Sequence, residues 1–278
     1  MIDDIQIMRD ILPTIASSSL DKYRRPISDA QKWFADKIAG GELMDRIMEM
    51  KDADPLPELF VRARLCVALR AYGEAIPQLD LVETPNGFAV VNDERLVPAS
   101  RERVSALRGS IQNDFRAALD SFIEYMEDSD GYAAMWKRSP AYSIISDSYL
   151  PTLREFRRYG EFAGSYLDFI AARPVFRQII VKYIEPVVSR ELSEEIIAQL
   201  RDGTLSESNG RLLEDLRFSL AGFYVGDVPF GQMSANRARQ RLDADPDAYP
   251  TFRNSELYRA VERQRAVRSD VKSIYPLI

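Results

Sequence analysis

The chain has 278 residues, 46% hydrophobic and 29% charged, a globular balance that excludes a disordered or low-complexity chain. Its 37 basic and 43 acidic residues give a net charge of -6, which argues against a uniformly basic nucleic-acid coat protein. With no histidine and one cysteine, Cys66, it cannot form an intramolecular disulfide, a Cys-based or His-ligated metal site, or a Ser-His-Asp or Cys-His catalytic arrangement.

In chain order the expected elements are mostly helical. A short helix is predicted from Asp3 to Leu12, stopping before Pro13, with a loop over Ala16–Ser19. A second helix is predicted from Asp21 to Ile38, kinked or opened by Pro26. It places Tyr23, Ile27, Ala30 and Phe34 on one face and stops at Gly40-Gly41. Glu42–Met50 reads as a third helix, Asp52–Pro57 as a break, and Pro57–Ala75 as a long helix with a wide apolar stripe. The period then changes. Two short β-type runs flank Pro85-Asn86-Gly87, a hairpin signal over Leu79–Val91, because Pro fixes φ and Asn-Gly tolerates positive φ. A lone hairpin is marginal in water, so it needs helices or a partner to cover it.

Ser100 reads as the N-cap of a long helix to Glu127. Trp136–Ser139 reads as a loop. Further helices are predicted over Thr152–Arg173, over Val175–Leu200 with a break or kink at Pro186, and over Gly210–Val225, followed by a turn at Asp227–Gly231. After a polar break at Asp243–Asp247, a last helix is predicted from Glu256 to Ser273, ahead of the apolar Tyr275–Ile278. The acidic start lacks a secretory n-region and no apolar run approaches the ~18 residues of a spanning helix, so a cytoplasmic, membrane-free protein is expected.

Two internal similarities bear on organisation. Lys22-Tyr23-Arg24-Arg25-Pro26 and Lys182-Tyr183-Ile184-Glu185-Pro186 suggest a duplicated helical unit, against chance similarity of amphipathic helices. Trp136–Tyr142 and Phe252–Tyr258 share aromatic, basic, x, Ser, x, x, Tyr. The favoured reading is a Ser-capped helix start, and the sharper one an aromatic–basic nucleic-acid stacking site.

No phosphate-cradling loop is present. Adjacent acidic pairs (Asp3-Asp4, Glu194-Glu195, Glu214-Asp215) diverge on a helix, and the Asp243, Asp245, Asp247 run lacks the glycine and glutamate of a calcium loop. Cys66 reads as a small core residue. No catalytic, metal or cofactor site is assigned. Charge says more: the segment from Thr251 onward is net +3 and the rest -9. Leu257, Ala260, Gln264, Val267, Val271 and Ile274 form a seam flanked by arginines. It is either a terminal helix packed on its own domain or an arm that docks on an acidic or apolar partner.

The segment Thr84-Pro85-Asn86-Gly87-Phe88-Ala89-Val90-Val91-Asn92, followed by Val97-Pro98-Ala99-Ser100-Arg101-Glu102-Arg103-Val104, resembles an uncharacterised family encoded by phages and prophages of gut Bacteroidales. Its members carry a similar TPNGFxVV segment and then a PAS-x-x-RV helix start, and the Trp136–Tyr142 and Ser255–Tyr258 motifs resemble later landmarks. The resemblance implies a structural, non-enzymatic role: a head-completion or head–tail connector (adaptor) protein forming a homo-oligomeric ring between portal and tail. The implied partners are the portal and tail or neck proteins. No cofactor or membrane is implied, and DNA is contacted only weakly or in passing. The implied location is the phage neck, assembled in the bacterial cytoplasm. An acidic body suits such a ring, since like charge repels passing phosphate.

The expectation is therefore a mainly α fold, a helical bundle with one projecting β-hairpin and a C-terminal helical arm. Residues 1–242 form the body with the hairpin at 79–91, and 243–278 form the linker and docking arm. The interface residues assigned are Pro85, Asn86, Gly87 and Phe88 of the hairpin, and Leu257, Arg263, Val267, Arg268, Val271, Ile274 and Tyr275 of the arm. Two alternatives remain. One is a DNA-associated protein using Arg154, Arg157, Arg158 and the terminal arginines. The other is an enzyme with a carboxylate-bound metal.

Overall fold

A computed structural model describes residues 1–79, 81–84, 87–90, 99–160 and 164–274, with the backbone alone at 81–84, 87–90, 160 and 268–274. The protein is mainly α-helical and forms two compact units, Met1–Ser143 with Ser165–Leu167, and Ile144–Gly164 with Asp168 onward.

The first unit contains α1 (Ile5–Ile11), α2 (Arg24–Phe34), a π-helical turn (Ala35–Ala39), α3 (Gly40–Glu49) and α4 (Glu58–Leu79). Strands β1 (Leu81–Thr84) and β2 (Gly87–Val90) follow, antiparallel, with Leu81 opposite Val90 and Thr84 opposite Gly87. Then come α5 (Arg101–Asp128), a 3-10 turn (Asp130–Tyr132), α6 (Ala133–Lys137) and the start of α7 (Pro140–Ile145). Asp4 and Ser100 cap α1 and α5 by accepting from Gln6 and Arg103 backbone N–H groups, which would otherwise lack partners. The apolar faces of α2, α4 and α5 meet in one core. There Phe34 and Phe122 pack edge to face with centroids 5.0 Å apart. Leu59, Phe60, Ala63 and Leu119 are buried around them.

The second unit contains α8 (Leu153–Gly160), most of α9 (Tyr166–Ile179), a π-helical turn (Ile180–Ile184) and α10 (Glu185–Val188). It continues with α11 (Arg190–Asp202), α12 (Glu207–Val225), α13 (Val228–Ala244), a 3-10 turn (Pro246–Ala248), α14 (Pro250–Arg253) and α15 (Glu256–Ile274). Phe156 stacks on Phe169 at 4.6 Å, and Phe176 meets Tyr224 edge-on at 4.9 Å. Tyr149 is wholly buried and shares a 2.6 Å hydrogen bond with Ser193. Where α12 and α13 cross, Gly222 faces Gly231: a Cβ on Gly222 would lie 2.8 Å from the Gly231 nitrogen.

The two units repeat one order of elements. Each has a helix, a π turn, a residue at positive φ (Gly40 directly after the turn, Ser189 after the extra short helix α10), a helix of ten to thirteen residues, two long helices, a 3-10 turn with a short helix, and the start of a Ser-capped helix. Gly40 and Ser189, Glu58 and Glu207, Arg62 and Arg211, and Gly73 and Gly222 are all separated by the same number of residues. The ion pair of Arg62 with Glu58 on α4 recurs as Arg211 with Glu207 on α12. The strands lie between α4 and α5, where the second unit has only Gly226 and Asp227 between α12 and α13.

Several sequence expectations are corrected. The units part at Ser143–Ile144, inside the expected 1–242 body, and α7 runs through that point with no Pro/Gly-rich linker to mark it. The described part of 243–278 belongs to the second unit, because Phe252 is fully buried and α14 carries it. Trp136–Lys137 is helical rather than loop, and the Thr152–Arg173 stretch divides into α8 and α9. Helix α9 runs through Pro174 at the loss of one backbone donor. Most of all, Asp227–Gly231 is not a turn but the start of α13, where the Asp227 carboxylate accepts from Phe230 N–H at 3.1 Å and Pro229 occupies the first turn.

The similarity built on Lys22–Pro26 and Lys182–Pro186 does not coincide with the repeat. Tyr23 stands at the start of α2, whereas Tyr183 lies in a π turn at the far end of α9.

Candidate functional site

Most of the acidic groups singled out in the sequence take part in structural contacts. Among the described residues no three His, Cys, Asp or Glu side chains converge as a metal site. Asp243 pairs with Arg239 at 3.1 Å, Asp245 caps the 3-10 turn through Ala248 N–H, and Asp247 pairs with Arg253, so the acidic run is three separate structural contacts. Of the acidic pairs, Asp4 caps α1, Glu194 holds Arg190 at 2.8 Å, and buried Asp215 accepts from Arg241 at 2.8 Å and pairs with Arg237 at 3.1 Å. Cys66 is 1% exposed and burial pushes its thiol far above the ordinary range, the setting of a core side chain. Arg173, buried against Phe169 and Phe176, has its pKa lowered to about 10 by loss of solvation and donates to Ser148 Oγ at 2.6 Å.

The two aromatic–Ser–Tyr motifs are capped helix starts with matching geometry. Ser139 Oγ accepts from Tyr142 N–H at 3.1 Å and Ser255 Oγ from Tyr258 N–H at 3.2 Å. Trp136 and Tyr142 rings lie 6.1 Å apart edge to face, and Phe252 and Tyr258 rings 5.4 Å apart. Trp136 and Phe252 are buried, which removes them as stacking surfaces for bases.

Helix α15 carries an exposed run among the described residues. Its first turns are anchored: Leu257, Tyr258, Ala260 and Val261 are half-buried. From Glu262 to Val267 every side chain is exposed, and Val267 is 63% exposed. The expected seam is therefore split, with Leu257 and Ala260 on the body and Gln264 and Val267 in solvent. Arg265 pairs with Glu262 at 2.8 Å and reaches Asp243 at 3.5 Å, while Arg263 donates to the Arg259 carbonyl at 3.3 Å. The side chains of Arg268, Val271, Ile274 and Tyr275 lie outside the described residues, as does the backbone of Tyr275.

Of the hairpin residues, Gly87 and Phe88 lie in β2 with their side chains undescribed, and Pro85 and Asn86 fall outside the described residues. Of the arginines in the DNA-binding alternative, Arg154 and Arg158 are exposed on α8, but Arg157 donates to the Gly164 carbonyl at 3.0 Å. Sequence reasoning missed α13 and the Asp215–Arg237–Arg241 cluster it completes. The signal was present in Asp227 before Val-Pro and in Ser234, Ala235, Ala238 and Leu242 at helical spacing.

Residues 11–144, just under half of the chain, match a family of unknown function (DUF6712). The match ends at the border of the first unit. No curated protein and no solved structure is similar to the chain. Among the described residues no helix is long and apolar enough to cross a membrane.

Proposed function

We propose that the protein is a non-enzymatic structural component of a tailed-phage virion, a head–tail connector that forms a ring between portal and tail. The reading rests on the TPNGF–PAS resemblance, and one structural observation supports it: α15 is exposed from Glu262 to Val267 and presents Val267 among arginines. In this reading the arm docks on the portal or an adjacent copy with its arginines on acidic groups, and the hairpin projects to cover its edges against a neighbour.

The test is removal of residues 262–278, which spares the anchored turns of α15. The truncated protein should stay folded and helical yet fail to enter particles in a phage complementation assay. Normal incorporation of the truncated chain would refute the docking arm.

A further inference from the structure

We propose that the tip where α12 turns into α13 is a contact surface for a second copy of this chain, the two copies exchanging an apolar knob and groove across a two-fold axis. This is independent of the connector reading. The groove has a volume of about 380 Å³ and lies between α8, α12 and α13. Its walls are the half-buried rings of Tyr159, Phe218 and Phe230, with Phe218 5.2 Å from Tyr159 and 5.8 Å from Phe230. Around the same turn stand three exposed apolar side chains, Val225 at 52%, Val228 at 53% and Met233 at 49%. Single exposed apolar residues are ordinary on a surface; several grouped beside an aromatic groove mark a contact site. Methionine suits the knob, since its flexible thioether packs well against aromatic rings.

Charge and shape select a second copy as the occupant. Residues 225–236 hold one charged side chain, Asp227, in a chain that is 29% charged. Copies of net charge -6 repel one another, and this surface lets them meet without opposed like charges. Loss of charge with apolar and methionine side chains is also the composition of an interface centre. The groove carries one arginine, Arg158, and one aspartate, both exposed, and no ion pair joins them among the described residues. Asp227 gives one oxygen to the Phe230 N–H. Across a two-fold axis the Arg158 of each copy faces the Asp227 of the other. Knob and groove lie side by side on one surface, as a self-complementary contact requires.

The first unit supplies an internal comparison. Ile76 stands on α4 where Val225 stands on α12, at the separation of Gly73 from Gly222, and it is buried. Helix α4 leads into the strands and the 28 residues of α5, whereas α12 passes through Gly226 and Asp227 into the 17 residues of α13. The open tip goes with that short connection.

The experiment is sedimentation equilibrium of the full chain from about 1 to 300 µM, a range that brackets weak contacts. The expected result is a monomer–dimer equilibrium with a dissociation constant on the order of tens of micromolar, as fits a contact below the ~1,200 Å² of stable complexes. Such a dimer is largely dissociated at the low-micromolar concentrations of a native mass measurement. Met233→Glu and Val228→Glu, both on exposed side chains, should each weaken association by about tenfold or more. Arg158→Asp should weaken it too, by facing Asp227 with a like charge. Val61→Glu, at an exposed valine of α4, should leave it unchanged. A chain that stays monomeric throughout, or a dimer indifferent to both Met233→Glu and Val228→Glu, would overturn the proposal. Association that is lost on removing residues 262–278 but untouched by those two variants would overturn it while supporting the docking arm. Should either variant lower the thermal midpoint, the other decides.

Discussion

Gly40 and Ser189 hold the same unusual backbone conformation, φ/ψ of 75°/168° and 78°/152°, Gly40 at the head of α3 directly after a π turn and Ser189 at the head of α11 after α10. In the first unit glycine is required, since a Cβ would also come within 3.0 Å of Pro140 Cδ. In the second unit a serine bears the strain, and its Oγ accepts from Leu192 N–H at 3.3 Å. Such a position costs about 1–3 kcal/mol for a residue with a side chain.

Ser189→Gly should therefore stabilise the protein by about 1 kcal/mol. Relief of strain exceeds the few tenths of a kcal/mol lost when glycine replaces a serine cap. Gly40→Ser should destabilise it by more than about 1 kcal/mol. Thermal and urea midpoints followed by circular dichroism check both; a less stable Ser189→Gly variant would contradict the strain argument.

Gly73 and Gly222 should behave oppositely. Gly222→Ala would place a methyl group 2.8 Å from the backbone of α13 and should cost about 1–3 kcal/mol. Gly73→Ala has room and should stabilise α4 by up to about 1 kcal/mol through helix propensity. Equal effects in a denaturation series would mean that α12 and α13 can separate without loss.

Glu42 and Arg138 are joined by a two-pronged ion pair, with the Arg138 Nε donating to Oε2 at 2.8 Å. Hydrogen bonds from Arg138 hold the Glu42 carboxyl below the ordinary carboxylate range. A lowered folded-state pKa gives stability that is present above the unfolded pKa and lost as pH falls through the folded one. A carboxyl-detected NMR titration should show Glu42 with a depressed midpoint that returns to normal in Arg138→Gln. An unchanged midpoint in the variant would show that the pair is open in solution.

How much of this was readable in the sequence depended on local signals. Ser100, the apolar spacing of α5 and the Ser139 and Ser255 caps are short-range chemistry and appear plainly. Helix α13 did not, because Gly231 and the small residues Ser234, Ala235 and Ala238 make its buried face look polar and turn-like. They are small because α12 approaches closely at Gly222, which is a tertiary fact. The border at Ser143 has no compositional mark because α7 crosses it. Lys-Tyr-x-x-Pro does not mark the repeat, because positive φ and helix crossings carry it, and residues as different as glycine and serine fill those positions.

The exposed run of α15 begins later than composition suggests. Removing residues 251–278 would take Phe252 from the core and should cost about 3–5 kcal/mol, as deletion of a buried phenylalanine does. Removing only 262–278 should leave the thermal midpoint nearly unchanged. Equal stability of the two truncations would place Phe252 outside the cooperative core.

The central claim, a ring held by docking of α15, is tested most directly by native mass. The measurement is native mass spectrometry of the assembly recovered from producing cells through a tag on the full chain, beside the chain lacking residues 262–278. The account predicts a closed multi-copy assembly for the full chain and a folded monomer for the truncated one. Monomers in both preparations, or the same assembly in both, would contradict it.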